Sequence, residues 1–120
     1  MKRKPVVWVA SSKKDFLHFP DEMKRVMGYG LHLAQVGEKP DNAKPLKGFG
    51  GANILEIINE DPSGTYRTVY TVQFKEAIFV LHAFQKKSKQ GIKTPKSEID
   101  LIKNRLKQAQ EMYTEITKKK

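Results

Sequence analysis

Arginine and lysine side chains that could act on a phosphate gather between residues 65 and 95. Arg67 lies among Tyr and Thr residues of one predicted strand, and the next strand ends in the pair Lys86 and Lys87. A guanidinium pairs bidentately with phosphate oxygens, so Arg67 is the strongest candidate for stabilising negative charge. A solvated strand arginine is the alternative interpretation. Cations at the open end of a small sheet indicate a place where a phosphate backbone is held.

Cleavage of a phosphodiester by cationic side chains without a metal points to RNA. The 2′-hydroxyl of RNA can attack its own neighbouring phosphate. Such a site needs a group that accepts the 2′ proton, a group that protonates the leaving 5′-oxygen, and cations for the phosphorane charge. His82 is the acid–base candidate. It lies inside the apolar run VLHAF, however, which favours a hydrogen-bonded structural histidine.

Metal, thiol and nucleotide chemistry find little support in the sequence. There are no cysteines, and the three histidines lie on different predicted elements without ligand spacing. The GFGG run at residues 48–51 lacks the lysine–serine ending of a P-loop and precedes a strand instead of a helix. We therefore expect no metal and no cofactor.

The charge of the chain favours a polyanionic partner. Net charge is +10, from 23 Lys and Arg against 13 Asp and Glu. Such a partner would be nucleic acid, an acidic protein or an anionic membrane surface. The alternative interpretation is a soluble, lysine-rich surface without a polyanionic partner. From residue 86 onward there are eleven basic and four acidic residues, which favours nucleic acid. Three lysines are the candidate RNA-binding residues: Lys47, Lys89 and Lys93.

The length of 120 residues predicts one domain, spanning residues 1–120. No segment approaches the roughly 20 apolar residues that span a bilayer. The apolar run after the basic start is too short for a signal peptide, so we expect a cytoplasmic protein.

Hydrophobic periodicity predicts the order β-α-α-β-β-β-α, with a long connection over residues 37–53. This order indicates an α+β domain, in which two N-terminal helices and one C-terminal helix pack on a mainly antiparallel sheet of about four strands. The predicted elements are strands at Val6–Ala10, Ile54–Asn59, Thr65–Phe74 and Ala77–Phe84, and helices from Ser11 or Ser12, from about Pro20 to Val36, and from Thr94.

Strand register decides which residues can act together with Arg67. A two-residue turn at Lys75 and Glu76 places it on one face with the even-numbered residues of the next strand, from His82 to Lys86. A slip of one residue would place it with Gln85 and Lys87 instead. In both cases basic groups of adjacent strands converge near one end of the sheet.

Four short motifs resemble one family of toxins. They are LKG at 46–48, YR followed by VY at 66–70, LHAFQKKSKQ at 81–90, and TPKSEI at 94–99. Together they resemble the Gp49-like, HigB-type branch of the RelE superfamily, which are toxins of bacterial type II toxin–antitoxin systems. The resemblance extends from about residue 45 to residue 107.

The resemblance implies a small RelE-like α+β fold that cleaves mRNA, usually in the ribosomal A site, without metal or cofactor. It also implies a cognate antitoxin, commonly a small helix-turn-helix protein. By motif position, Arg67 matches the arginine that holds the scissile phosphate. Lys87, with Lys86, matches the basic residue at the end of the following strand, and Lys47 matches the lysine of the LKG loop.

The chain also departs from the family pattern. Ile58 stands where relatives often have an arginine, and Glu56 lies near where RelE itself has lysines. No tyrosine follows the lysine pair until Tyr113, so the general base and acid stay unassigned. Two alternatives therefore stand beside a ribosome-dependent endoribonuclease: a non-catalytic RNA- or ribosome-binding inhibitor, and a toxin of the same fold that acts on gyrase. A DNA-binding regulator ranks lower, because no basic recognition helix is evident.

Overall fold

A computed structural model describes residues 3–51, 53–86 and 94–118. The five strands form one sheet in the order β1-β5-β4-β3-β2, antiparallel except for the parallel pair of β1 and β5. The predicted α+β architecture is therefore confirmed. The elements in chain order are β1 (Val6–Trp8), α1 (Ser12–Leu17), α2 (Asp21–Gln35), β2 (Ala43–Pro45), β3 (Ile54–Asp61), β4 (Gly64–Thr71), β5 (Ile78–Lys86) and α3 (Lys96–Lys118).

The sheet has one strand more than the predicted four. The additional strand, β2, lies within residues 37–53, which were predicted to form a long connection. Its three residues pair with β3, Ala43 opposite Ile57 and Pro45 opposite Leu55. Proline cannot donate to a ladder and is tolerated at a sheet edge, which is where β2 lies. A strand this short carries no alternation of apolar and polar residues that sequence analysis could detect.

The first face of the sheet is covered by α1 and α2 and is apolar. Met23, Met27 and Leu31 recur on α2 at helical spacing and are buried against the strands, as the sequence predicted. At Gly30 a Cβ atom would lie 2.9 Å from Cδ1 of Ile57, so glycine permits the close approach of α2 to β3. The buried residues of this face are Phe16, Phe19, Met23, Met27, Leu31, Ala34, Ala43, Leu55, Ile57, Tyr66, Tyr70, Ile78, Val80 and Ala83.

The second face is covered by α3, and its core is smaller. Ile102 and Ala109 of α3 are buried, and Phe74, Phe79 and Tyr113 form an aromatic cluster at its far end. Among the described residues, no helix is long and apolar enough to cross a membrane. The buried apolar residues of this face are Val9, Leu46, Ile54, Val69, Phe74, Ala77, Phe79, Leu81, Ile102 and Ala109.

A bulge in the β4–β5 ladder sets the register at Arg67. Tyr70 pairs with Val80, but Val69 pairs with His82, so Leu81 is the extra residue. The shift places Arg67 opposite Phe84, the register that the two-residue turn predicted. The turn itself is wider than predicted, since the strands end at Thr71 and resume at Ile78. Without the bulge, the ladder would continue in the slipped register.

Candidate functional site

A cleft of about 490 Å³ opens on the second face, between the 44–48 segment and the start of α3. Clefts of this size are typical of small-ligand sites. A backbone hydrogen bond from Leu46 N to Ile54 O (2.8 Å) holds the 44–48 segment in place. The next residue, Phe49, packs against the core of the second face, and Nζ of Lys103 lies 6.0 Å from the centroid of its ring. The cleft is lined by Lys44, Pro45, Leu46, Lys47, Gly48, Glu56, Thr94, Lys96 and Ile99.

Glu56 forms part of the floor of the cleft. It lies opposite Lys44 on β2 and opposite Val69 on β4, so the three side chains share the second face. Its carboxylate accepts hydrogen bonds from Arg67 Nη1 at 3.0 Å and from Thr94 Oγ1 at 2.9 Å. Among the described residues that line the cleft, Glu56 is the one acidic residue, and its side chain is only 2% exposed.

Arg67 lies directly behind this floor. Its side chain is 2% exposed, and Nη1 donates to Thr94 Oγ1 at 3.1 Å as well as to Glu56. Thr94 thus accepts from the arginine and donates to the glutamate, closing a three-membered network. A buried ion pair is costly to desolvate and very costly to break, because the remaining charge has no partner. The pair therefore fixes the position of the carboxylate.

The mouth of the cleft is cationic and its walls are aliphatic. Lys44, Lys47 and Lys96 are all exposed at the rim. Leu46 and Ile99 supply the apolar walls from the two opposing segments. Because Lys44 and Lys47 come from one segment and Lys96 from another far along the chain, their convergence depends on the fold.

A second polar network lies beneath α3 and centres on His82. Its Nε2 hydrogen bonds to the carboxylate of Glu98, in the first turn of α3, and its ring stacks on Phe84 with centroids 4.8 Å apart. On the other side, Arg105 Nη1 lies 3.2 Å from His82 Nδ1. Arg105 Nη2 also donates to Ser11 Oγ at 2.8 Å, tying α3 to the start of α1.

The partners of His82 determine its tautomer. Arg105 can only donate, so Nδ1 must accept and the proton must reside on Nε2, facing Glu98. Burial lowers the pKa of His82 below its usual value of 6.5, and the charge of Arg105 acts in the same direction, whereas Glu98 and Asp15 oppose it. A neutral imidazole with both nitrogens engaged is better suited to positioning α3 than to shuttling protons.

The structure places the predicted site residues at different depths. Lys47 lines the cleft and Arg67 lies behind its floor. His82 belongs to the neighbouring network, and half-buried Lys86 ends β5 opposite Thr65. The other three predicted residues, Lys87, Lys89 and Lys93, lie outside the residues that the structure describes.

Sequence analysis did not single out three residues that the cleft brings together with Lys47. Lys44 and Lys96 were each visible in a motif or loop, but nothing local indicated that they meet. In the sequence, Glu56 stands out only as a departure from the family pattern. The available signal was its position, since an acid within the apolar strand sequence ILEII is buried on one face or the other and needs a partner.

No cluster of three or more His, Asp or Glu side chains that could hold a metal ion occurs within residues 3–51, 53–86 and 94–118. The polar side-chain groups that these described residues bring to the cleft are one carboxylate, one hydroxyl and three ammonium groups. This set is suited to binding an anion or a hydrogen-bond donor.

Comparison with known proteins identifies the family. A family model described as "Phage derived protein Gp49-like (DUF891)" matches residues 14–107. No curated protein matches the chain. Among solved structures, the chain is similar to the toxin–antitoxin complex RelBE2 from Mycobacterium tuberculosis, with 14% sequence identity and a TM-score of 0.45, over 73% of this chain and 97% of that chain. Because the family model covers well over half of the sequence, this protein belongs to the Gp49-like family, the branch that its sequence motifs indicated.

Proposed function

We propose that this protein is the toxin of a type II toxin–antitoxin system. In this proposal it is a metal-independent endoribonuclease of the cytoplasm that cleaves mRNA on the translating ribosome and so inhibits translation. A cognate antitoxin, a small helix-turn-helix protein, binds it and blocks its activity. Membership of the Gp49-like family and the net charge of +10 both support this function.

The observation that carries the proposal is the convergence of Lys44, Lys47 and Lys96 at the mouth of one cleft. Three ammonium groups within one rim create a positive potential that attracts a phosphate backbone and stabilises the charge that develops on a phosphorane. RNA supplies its own nucleophile, the 2′-hydroxyl, so no metal-activated water is required in this scheme.

Arg67 has a different place in the proposal from the exposed lysines. Its guanidinium already binds Glu56 and Thr94 and is 2% exposed, so a scissile phosphate reaches it only when the surrounding side chains rearrange. Lys86, the last residue of β5, and Lys87, the next residue in the sequence, complete the proposed cationic set. A site without an assigned general base or acid suits an enzyme whose substrate is positioned by the ribosome.

The exposed lysines give the cleanest test, because replacing them leaves the core intact. The variant Lys44→Ala/Lys47→Ala/Lys96→Ala is compared with Lys13→Ala/Lys75→Ala/Lys107→Ala, which removes the same charge from exposed positions outside the cleft. Each protein is expressed briefly, and growth and the 5′ ends of cellular mRNA are measured. We expect the control to stop growth and produce new codon-aligned 5′ ends, and the cleft variant to produce neither.

Other outcomes would redirect the assignment. Growth arrest by the unaltered protein with intact transcripts would indicate an inhibitor that acts by occupying RNA or the ribosome. Intact transcripts together with double-strand DNA breaks would indicate action on gyrase. Equal loss of activity in both lysine variants would mean that overall charge, and not the cleft, drives the effect.

A further inference from the structure

The geometry points to a guanine-binding pocket: we propose that the cleft takes a guanine base of the RNA strand, with the Glu56 carboxylate reading the N1–H and N2–H donors of the base. This inference deepens the proposed function and rests on it for RNA as the source of the guanine. Three properties of the cleft carry it: its aliphatic walls, its single buried carboxylate and its cationic rim.

The walls of the cleft suit a flat ring. Leu46 lies on one side and Ile99 of α3 on the other, and the rim lysines contribute aliphatic stems. At Gly48 the backbone adopts a φ of +101°, a conformation that side chains rarely tolerate, so this edge of the cleft carries no Cβ. A nucleobase buries two apolar faces and presents its polar atoms only at its edges. It therefore fits between such walls.

The Glu56 carboxylate retains capacity to accept further hydrogen bonds. Each oxygen already accepts one, Oε1 from Arg67 and Oε2 from Thr94. A carboxylate offers about four acceptor sites, so two oxygens with one donor each can still take two more. Because Arg67 and Thr94 hold the group in place, a ligand meets a carboxylate of fixed position.

Among the four RNA bases, guanine alone presents two adjacent donors on its Watson–Crick edge. Its N1–H and N2–H groups match the two oxygens of a carboxylate, as a guanidinium does. Adenine and cytosine each place an acceptor nitrogen beside their amino group, which would face a carboxylate oxygen. Uracil has a single donor flanked by two carbonyl oxygens. The Glu56 carboxylate thus favours guanine, and it repels the acceptor atoms on the Watson–Crick edges of adenine, cytosine and uracil.

The lysines of the rim complete the match with a nucleotide. Lys44, Lys47 and Lys96 surround the opening above the carboxylate, so an anion at the mouth and hydrogen-bond donors at the floor are both satisfied. A free anion would meet the ammonium groups but would be repelled from Glu56. In a nucleotide the phosphate and the base are separate groups, so the phosphate can contact the rim lysines while the base donates to Glu56.

The test is a series of ligands titrated into the purified protein, with dissociation constants measured by NMR. The probes are 5′-GMP, 5′-IMP, 5′-AMP and inorganic phosphate. IMP keeps N1–H but lacks the amino group, so it isolates one hydrogen bond to the carboxylate. We expect GMP to bind about 10- to 100-fold more tightly than IMP or AMP, with shifts at Gly48 and Ile99.

Two variants locate the site. Glu56→Gln should abolish the preference for GMP over AMP, but it also leaves Arg67 without its charged partner and can impair folding. Ile99→Trp fills the cleft without touching the ion pair and should weaken GMP binding at least tenfold. Ser97→Trp, at an exposed position of α3 that does not line the cleft, is the matched control and should bind GMP as before.

Equal affinity for GMP, AMP and inorganic phosphate would overturn the inference and leave only a lysine-rich anion site. No binding of GMP at millimolar concentration, or unchanged binding by Ile99→Trp, would overturn it as well. These results are separable from the proposed function. New mRNA ends without guanine at a fixed position would support the endoribonuclease function and contradict the guanine pocket. GMP binding without mRNA cleavage would support the pocket and contradict the endoribonuclease function.

Discussion

The two faces of the sheet are built from the same strands, yet they bury different kinds of residues. The face under α1 and α2 holds side chains such as Phe16, Met27 and Ile57. The face under α3 combines a smaller apolar cluster with the Glu56–Arg67 ion pair and the His82 network. Charged groups would not be needed for stability alone, because the first face shows that these strands can pack on apolar side chains. On the function proposed above, the first face serves stability and the second face serves recognition.

The largest effect is expected where the second face is most unlike the first, at the buried ion pair. Arg67→Met should lower the free energy of unfolding by about 3–5 kcal/mol, because Glu56 is left charged and without its cationic partner. The double variant Glu56→Leu/Arg67→Met should recover most of this loss. Urea denaturation measures both. A double variant no more stable than the single one would show that the two side chains are not coupled.

On the first face, the close contact between α2 and β3 can be broken at Gly30. Gly30→Ala should be destabilising by about 1–2 kcal/mol, since the new methyl group meets Ile57 in a fully packed core. Gly28→Ala, two residues away with nothing within 4 Å of its Cβ, is the control. It should be stabilising by up to about 1 kcal/mol, as alanine favours the helix. Thermal unfolding of both variants checks the prediction.

Tyr70 is an exception on the first face, because it buries a hydroxyl that no described residue hydrogen bonds. Burial raises the pKa of Tyr70 to about 12, and the hydroxyl has no hydrogen-bond partner among the described residues. Tyr70→Phe should therefore raise the free energy of unfolding by up to about 1 kcal/mol at pH 7. Tyr66→Phe is a useful contrast, since the Tyr66 hydroxyl bonds to Ser63 at 2.6 Å, and it should not be stabilising. A loss of stability in Tyr70→Phe would contradict this account.

The smallest expected effect is a pH dependence confined to the second face. Burial lowers the pKa of His82 in the folded state, so the unfolded chain binds the proton more readily. The His82 contribution to stability is full above pH 6.5 and is lost as pH falls through the lowered pKa. Denaturation between pH 7.5 and 5 should show this loss, and His82→Gln should reduce it.

Local patterns were sufficient to predict most of the fold. The spacing of Met23, Met27 and Leu31 predicted α2 to within one residue at each end, and alternation predicted the β3–β5 hairpins. The strand β2 was missed because its three residues have no period. The bulge at Leu81 was missed because the sequence VLHAF contains no glycine or turn residue that would signal it.

The candidate site was less predictable because it is assembled from distant residues. The 44–48 segment and Lys96 are separated by two hairpins in sequence, and only the fold brings them to one cleft. The burial of Arg67 also depends on contacts that no local sequence pattern shows. Its register was predicted correctly, but its burial follows from Glu56 on the neighbouring strand and Thr94 ahead of α3.

The parallel pairing of β1 with β5 has a consequence for synthesis of the chain. Val6 pairs with Ile78, about 70 residues later, so β1 can join the sheet only after β5 has left the ribosome. Closing so long a loop makes folding slow relative to helical proteins of this size. The cleft includes Lys96 and Ile99 of α3, later still. A chain interrupted before α3 therefore lacks one wall of the cleft.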